Sequence, residues 1–208
     1  MIVGVETLDG YLTALASEQP APGGGSAATL VAQSAAALVA MVARICAKNP
    51  RYLQFHALAR ATAEQADGLR ADLGRQRALD EAAFGRVGTA TALPKRTEPE
   101  RAARSAELER ALHDAAAEPL VTAGQALAVL RLADDLLRIR NRALSSDIAC
   151  AAEFAHAALL AAGYNVRINH RFMRDAAAVA SQAEALAALE REGSALLAQV
   201  RLSVREPQ

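Results

Sequence analysis

Asp80 and Phe84 stand four residues apart in Asp80-Glu81-Ala82-Ala83-Phe84, so on a helix a carboxylate and an aromatic ring share one face. A carboxylate on an apolar face is costly unless it is paired or put to use. Desolvation raises its pKa toward the range of a general acid or base. The plain alternative is a solvated face. Asn165 and Asn169 repeat the four-residue spacing in Asn165-Val166-Arg167-Ile168-Asn169. A primary amide donates and accepts, which suits a heterocycle edge, although asparagine also ends helices. Ser145-Ser146-Asp147 offers hydroxyls and a carboxylate either to a ligand or to a helix N-terminus. The fourth block is Pro20-Ala21-Pro22-Gly23-Gly24-Gly25-Ser26, set directly before an Ala-rich apolar run. Its glycines fit a positive φ, a close backbone approach or a plain interhelical corner. At a helix N-terminus they would also present free N–H groups to an anion or an electron-rich edge.

Other chemistries find little support. His56, His113, His156 and His170 lack metal-ligand spacing, and no bound metal is expected. No G-x-S-x-G elbow, Walker loop or dinucleotide fingerprint occurs. Cys46 and Cys150 sit in apolar helical context and read as buried hydrophobes in a reducing compartment. Lysine plus arginine and aspartate plus glutamate both total 23, so there is no global field for nucleic acid or an anionic membrane. No signal-peptide pattern opens the chain, and a cytoplasmic location is expected. Residues 27–43 carry no charge, but their length and small and polar residues fit a core helix better than a membrane span.

The elements that must position these groups are helical. The chain is 52% hydrophobic but only 3% aromatic, and Ala and Leu favour close-packed helices over sheets. Leu8, Tyr11, Leu12 and Leu15 behind Thr7 mark a first helix. The spacing predicts a central helix from a Ser26 N-cap to about Ala47, stopped by Lys48-Asn49-Pro50. A segment over 51–92 is expected to bend or break once at its glycines. Thr97-Glu98-Pro99-Glu100 has the form of a capping box for a helix to about Glu118, and Pro119 is expected to kink or restart the chain into 120–140. A further helix over 148–162, a joint over 163–169 and a last helix over 171–201 complete an all-α bundle of six to seven helices. It forms one domain over 1–208.

In this order, the blocks resemble the cyclodeaminase/cyclohydrolase family, comprising the C-terminal domain of formiminotransferase-cyclodeaminase and stand-alone methenyltetrahydrofolate cyclohydrolases. The likeness runs over nearly the whole chain. It rests on Pro20 to Ala28, Ala37 to Arg44, Asp80 with Phe84 and Ala92-Leu93-Pro94-Lys95, Glu118-Pro119-Leu120, Ser146-Asp147, and Asn165 to Asn169. It implies an all-helical folate enzyme, usually built on homodimers, that needs no metal or redox cofactor beyond its tetrahydrofolate substrate. Such enzymes interconvert 5,10-methenyl- and 10-formyltetrahydrofolate, or cyclise 5-formimidoyltetrahydrofolate with loss of ammonia. Asp80 then falls on the acid/base position. The residues expected to meet substrate are Gly23, Gly24, Gly25, Ser26, Arg51, Tyr52, Phe84, Asn141, Ser146, Asp147, Asn165 and Asn169.

Two stretches depart from the family's pattern. The lysine-rich run after the central helix is Lys48-Asn49-Pro50-Arg51-Tyr52 here, with less positive charge for a glutamate tail. The Gly-Asn-x-Asn before Ser-Asp is replaced by Arg140-Asn141-Arg142-Ala143-Leu144-Ser145. A second reading follows from these changes, in which the chain is a non-catalytic helical oligomer that binds folate or a protein partner.

Overall fold

The computed structural model describes residues 7–205, and the described residues form six α-helices and two short 3-10 turns. Helix α1 (Leu8–Leu15) starts behind Thr7, whose side chain accepts a hydrogen bond from the Gly10 N–H. It is anchored by Tyr11, which is only 2% exposed. Helix α2 (Gly24–Lys48) ends where Asn49-Pro50 opens a 3-10 turn, and α3 follows over His56–Ala92. Helix α4 spans Glu98–Leu137 behind the Thr97/Glu100 capping box, α5 Ser145–His170 and α6 Ala176–Arg205.

Side-chain pairs set the register. Gln33 against Arg70 and Arg44 against Asp67 run α3 antiparallel to α2. Gln76 against Glu118 and Arg86 against Asp114 run α4 antiparallel to α3. Asn169 against Ala115 lays the end of α5 on the first half of α4, and Arg201 against Glu153 with Arg167 against Glu190 run α6 antiparallel to α5. Helix α2 packs on α3, α4 and α5 and is the central helix. Its buried residues are mostly alanines, which let neighbouring axes approach closely. By length and composition α2 and the 142–170 segment would also suffice to cross a membrane. In the fold, however, α2 lends one face to the core.

Cys46 is buried as expected but Cys150 is exposed on α5, and the helices differ from the sequence expectation at four points. Ser26 does not cap α2. The helix already begins at Gly24 with Gly23 as N-cap, and the Ser26 hydroxyl is drawn to a partner 55 residues away. The 51–92 segment does not break at its glycines; its one interruption is the 3-10 turn Pro50–Phe55, after which His56–Ala92 runs as a single helix. Each interior glycine costs a helix about 1 kcal/mol relative to alanine, but the helix is held on both sides by α2 and α4. Pro119 does not restart the chain. It lies inside a 40-residue α4, and the Ala115 carbonyl four residues back, which Pro119 cannot serve, receives Asn169 Nδ2 at 2.8 Å. Finally, 163–169 is no joint but the last turns of α5. Gly163 faces α6 there, and a Cβ would lie 2.7 Å from Glu190 Oε1 and 3.4 Å from Leu186, so a side chain would displace the end of Glu190.

Candidate functional site

Antiparallel register brings the C-terminal half of α3, the N-terminal half of α4, the C-terminus of α5 and the glycine corner to one end of the bundle. They enclose a cavity of about 570 Å³. Each helix contributes one stripe at helical spacing: Asp80, Phe84, Val87 and Thr91 from α3, Arg104, Leu108, Leu112 and Ala115 from α4, and Asn165, Ile168, Asn169 and Phe172 from and just beyond α5. Pro20, Ala21 and Gly23 to Gly25 form the remaining wall. At 1.5 Å per residue the α3 stripe is about 16 Å long. The wall is chiefly apolar, with the polar groups gathered at its two ends. Phe84, Ile168 and Phe172 keep much of their surface exposed.

Asp80 sits at the inner end. A Cβ on Gly25 would lie 2.3 Å from its Oδ2, so the carboxylate occupies the space a side chain there would need. None of the three glycines has a positive φ, so close approach is what the run supplies. The Asp80 pKa is raised to about 6, first by burial and then by the negative charges of Glu81 and Glu118. Asp80 is thus a carboxyl group that changes protonation near neutral pH.

The two neighbouring carboxylates are held in place. Ser26 Oγ donates to Glu81 Oε1 at 2.7 Å, and since that uses its one proton, Tyr11 Oη donates to Ser26 Oγ at 3.0 Å. The Tyr11 ring carries the Arg77 guanidinium 4.8 Å above its centroid. Gln76 Nε2 donates to Glu118 Oε2 at 2.6 Å and to the Glu118 carbonyl at 3.0 Å. Among the described residues, no group of three His, Cys, Asp or Glu side chains is placed to hold a metal ion.

The asparagines face the same cavity. Asn169 Nδ2 donates to the Ala115 carbonyl and, at 2.9 Å, to the Asn165 carbonyl. Both its protons are spent, and it offers a ligand only its oxygen. Asn165 Nδ2 donates to Ala161 O, and a Cβ on Gly24 would be in ordinary contact with the Asn165 amide at 3.7 Å. The inner end therefore combines one titrating carboxyl with hydrogen-bond acceptors.

The sequence-predicted residues divide into three groups. Gly23, Gly24, Gly25, Asp80, Phe84, Asn165 and Asn169 come together in the cavity. Ser26 lies fully buried behind the wall and reaches the cavity only through Glu81. Arg51, Tyr52, Asn141, Ser146 and Asp147 are at the opposite end of the bundle, about 36 Å away along α2, and within one chain they cannot join this pocket. Asn141 is buried, accepts from the Ala143 N–H and donates to Cys46 Sγ, and Tyr52 packs against the core. Ser146 and Asp147 lie in the first turn of α5 and make no capping bond. Sequence reading missed Glu81, Arg104, Leu108 and Phe172. The four-residue step from Arg104 to Leu108 and Leu112 was the available signal, but it reads equally as an ordinary buried stripe.

The family model of formiminotransferase-cyclodeaminase matches residues 7–188. A methenyltetrahydrofolate cyclohydrolase of Methylorubrum extorquens is 35% identical over 195 residues, covering 94% of both chains. A formimidoyltransferase-cyclodeaminase of Mus musculus is 30% identical over 81% of this chain and 31% of its own length. The crystal structure of a formiminotetrahydrofolate cyclodeaminase from Thermotoga maritima covers 95% of both chains with a TM-score of 0.87 and 26% identity. With matches that run over nearly its whole length, in sequence and in fold, the chain belongs to the formiminotransferase-cyclodeaminase family.

Proposed function

We propose that the chain is a folate one-carbon enzyme that interconverts 5,10-methenyltetrahydrofolate and 10-formyltetrahydrofolate, with Asp80 as its general acid and base. The observation that carries this reading is the Asp80 carboxyl set against Gly25 on the floor of a largely apolar cavity, where burial pushes its pKa up to about 6. The one-carbon unit of the methenyl form is an amidinium carbon between N5 and N10. As a water oxygen bonds to that carbon, the Asp80 carboxylate takes the water's proton. The resulting tetrahedral carbon expels N5, Asp80 returns the proton to N5, and the hydroxyl on the former methenyl carbon loses its proton to become the formyl oxygen. One proton is released overall. Glycines at the wall allow a flat heterocycle to approach the backbone, and the Asn169 oxygen accepts from a ring N–H. Phe84 supplies an apolar face.

The mouse and Thermotoga relatives favour a second reaction in the same pocket. In it, N10 attacks the formimidoyl carbon of 5-formimidoyltetrahydrofolate, the N10 proton passes to the imino nitrogen, and protonated Asp80 supplies the second proton with which that nitrogen leaves as ammonia, giving the methenyl form. Both reactions are followed at the methenyl absorbance, starting from each substrate in turn. Turnover of either carries the enzyme reading, and the faster one assigns the reaction. Folate binding without turnover of either would leave the non-catalytic reading instead.

The proposal includes a homodimer. Helix α2 leaves Val31, Met41 and Ile45 exposed, and α5, packed beside it, leaves Phe154 and Tyr164 exposed away from the cavity. An Ala-rich helical face studded with large apolar side chains suits a second copy of itself.

A further inference from the structure

The tetrahedral carbon of the proposed hydrolysis carries a hydroxyl, N5 and N10. It collapses to the formyl group when N5 gains a proton and the hydroxyl loses one as the C–N5 bond breaks. Asp80 cannot do both. Having taken the water's proton it is the acid that serves N5, and a protonated carboxyl cannot take a second proton in the same step. The collapse therefore calls for another base at the same end of the cavity.

The ionisable side chains that line the cavity are Asp80, Glu81 and Arg104. Arg104 is held on the Thr91 carbonyl at the outer end, and a guanidinium stays protonated. Glu118, the other carboxylate beside Asp80, does not line the cavity and has its Oε2 bound by Gln76. Glu81 follows Asp80 directly in the chain, so about 100° separates the two around the α3 axis. Carboxyl groups set that way reach one cavity from different sides, which suits two substituents of one carbon better than one shared proton. Oε1 of Glu81 accepts from the fully buried Ser26, which Tyr11 holds in turn from α1. Among the described residues no hydrogen bond reaches Oε2. One oxygen is thus fixed by the fold, and the other is left to receive a proton.

We propose that Glu81 is a second catalytic carboxylate, the base that takes the hydroxyl proton while Asp80 protonates N5. The pair of the O–H bond is drawn into the new C=O bond, and the pair of the C–N5 bond goes to N5, where it binds the Asp80 proton. Glu81 then passes its proton to water, which accounts for the one proton released overall. This rests on the folate reading above.

The competing role for Glu81 is a plain tether of α3 to α2 through Ser26. Glu81→Gln separates the two, because it keeps an oxygen for Ser26 and loses the base. Hydrolysis of methenyltetrahydrofolate is followed on the plateau above the Asp80 bend, where a change in Asp80's own titration on loss of the Glu81 charge does not enter. The variant should melt no lower than the parent and lose kcat by about a hundredfold. Glu81→Ala should recover rate as formate is added, since a small carboxylate can enter the vacated space and take the proton. A Glu81→Gln variant as fast as an active parent overturns the proposal, and so does a folded Glu81→Ala variant that ignores formate. In both cases the folate reading stands. A parent that does not hydrolyse the substrate overturns the hydrolytic reading itself, and this step falls with it.

Discussion

The Asp80 carboxylate rests against the bare Cα of Gly25, so near that a methyl there would come within 2.8 Å of Oδ1, Oδ2 and Cγ alike. Gly25 is the residue that leaves room for the acid at the head of α2. Gly25→Ala should therefore push the carboxylate aside by about an ångström and lower kcat by roughly a hundredfold. Overpacking would cost about 1–3 kcal/mol of stability. Steady-state kinetics and a thermal melt of the variant check both.

Asp80→Asn should lower kcat by roughly 10²–10⁴-fold while leaving the helical circular-dichroism signal intact. Stability should move the other way. An acid whose folded pKa lies above its ordinary value binds its proton more tightly in the native state. It contributes nothing below the unfolded value, and it destabilises progressively as pH rises from about 4 to about 6. Asp80→Asn should flatten that slope and melt higher than the parent at pH 8. The parent's pH–rate profile should bend near pH 6. Denaturant titrations at pH 4 and pH 8 give the comparison, and equal slopes in the two proteins would assign the pH dependence to other groups.

Ser26→Ala removes the donor that Glu81 uses and the acceptor that Tyr11 uses. The expected loss is about 1–3 kcal/mol. At this chain length that lowers Tm by about 2–4 °C for each kcal/mol. Differential scanning calorimetry reads it directly.

Asn169→Ala strips the Ala115 and Asn165 carbonyls of a donor and should cost about 1–3 kcal/mol. Pro119→Ala restores a backbone N–H that can reach the Ala115 carbonyl. The two substitutions should therefore be non-additive, with Asn169→Ala costing less in the Pro119→Ala background. Chemical denaturation of the four proteins in this cycle measures the coupling, and additivity would show that Asn169 does not act through Ala115.

Phe154→Lys, on the exposed face of α5 and away from the cavity, should shift the sedimentation profile from dimer to monomer at micromolar concentration. A parent that already sediments as a monomer would dispose of the proposed dimer.

The fold class was legible because Ala and Leu are strong helix formers, the aromatics are scarce, and the caps Thr7, Thr97 and Glu100 act within a few residues. Where sequence reading erred, a distant partner overrode a local signal. Ser26 looks like an N-cap until Glu81 is brought to it, and Pro119 looks like a break until Asn169 arrives from α5. The pairs Asp80/Phe84 and Asn165/Asn169 were readable because four-residue spacing already fixes a shared face. Arg104 was not, since an arginine on a long helix reads as surface until the register of α3 against α4 sets it beside Thr91. Arg51, Tyr52, Asn141, Ser146 and Asp147 were grouped with the others through family resemblance. The length of α2 separates them, which no local pattern reveals.

The cavity draws its walls from four separated stretches, the first at Pro20 and the last at Phe172. No contiguous fragment shorter than most of the chain contains it, and no single loop can be transplanted to carry it elsewhere. Its appearance during folding must wait for the last long-range docking event among α2, α3, α4 and α5. Ligand binding is therefore a stricter witness of native assembly than helicity, which these alanine-rich segments can recover well before the pocket exists.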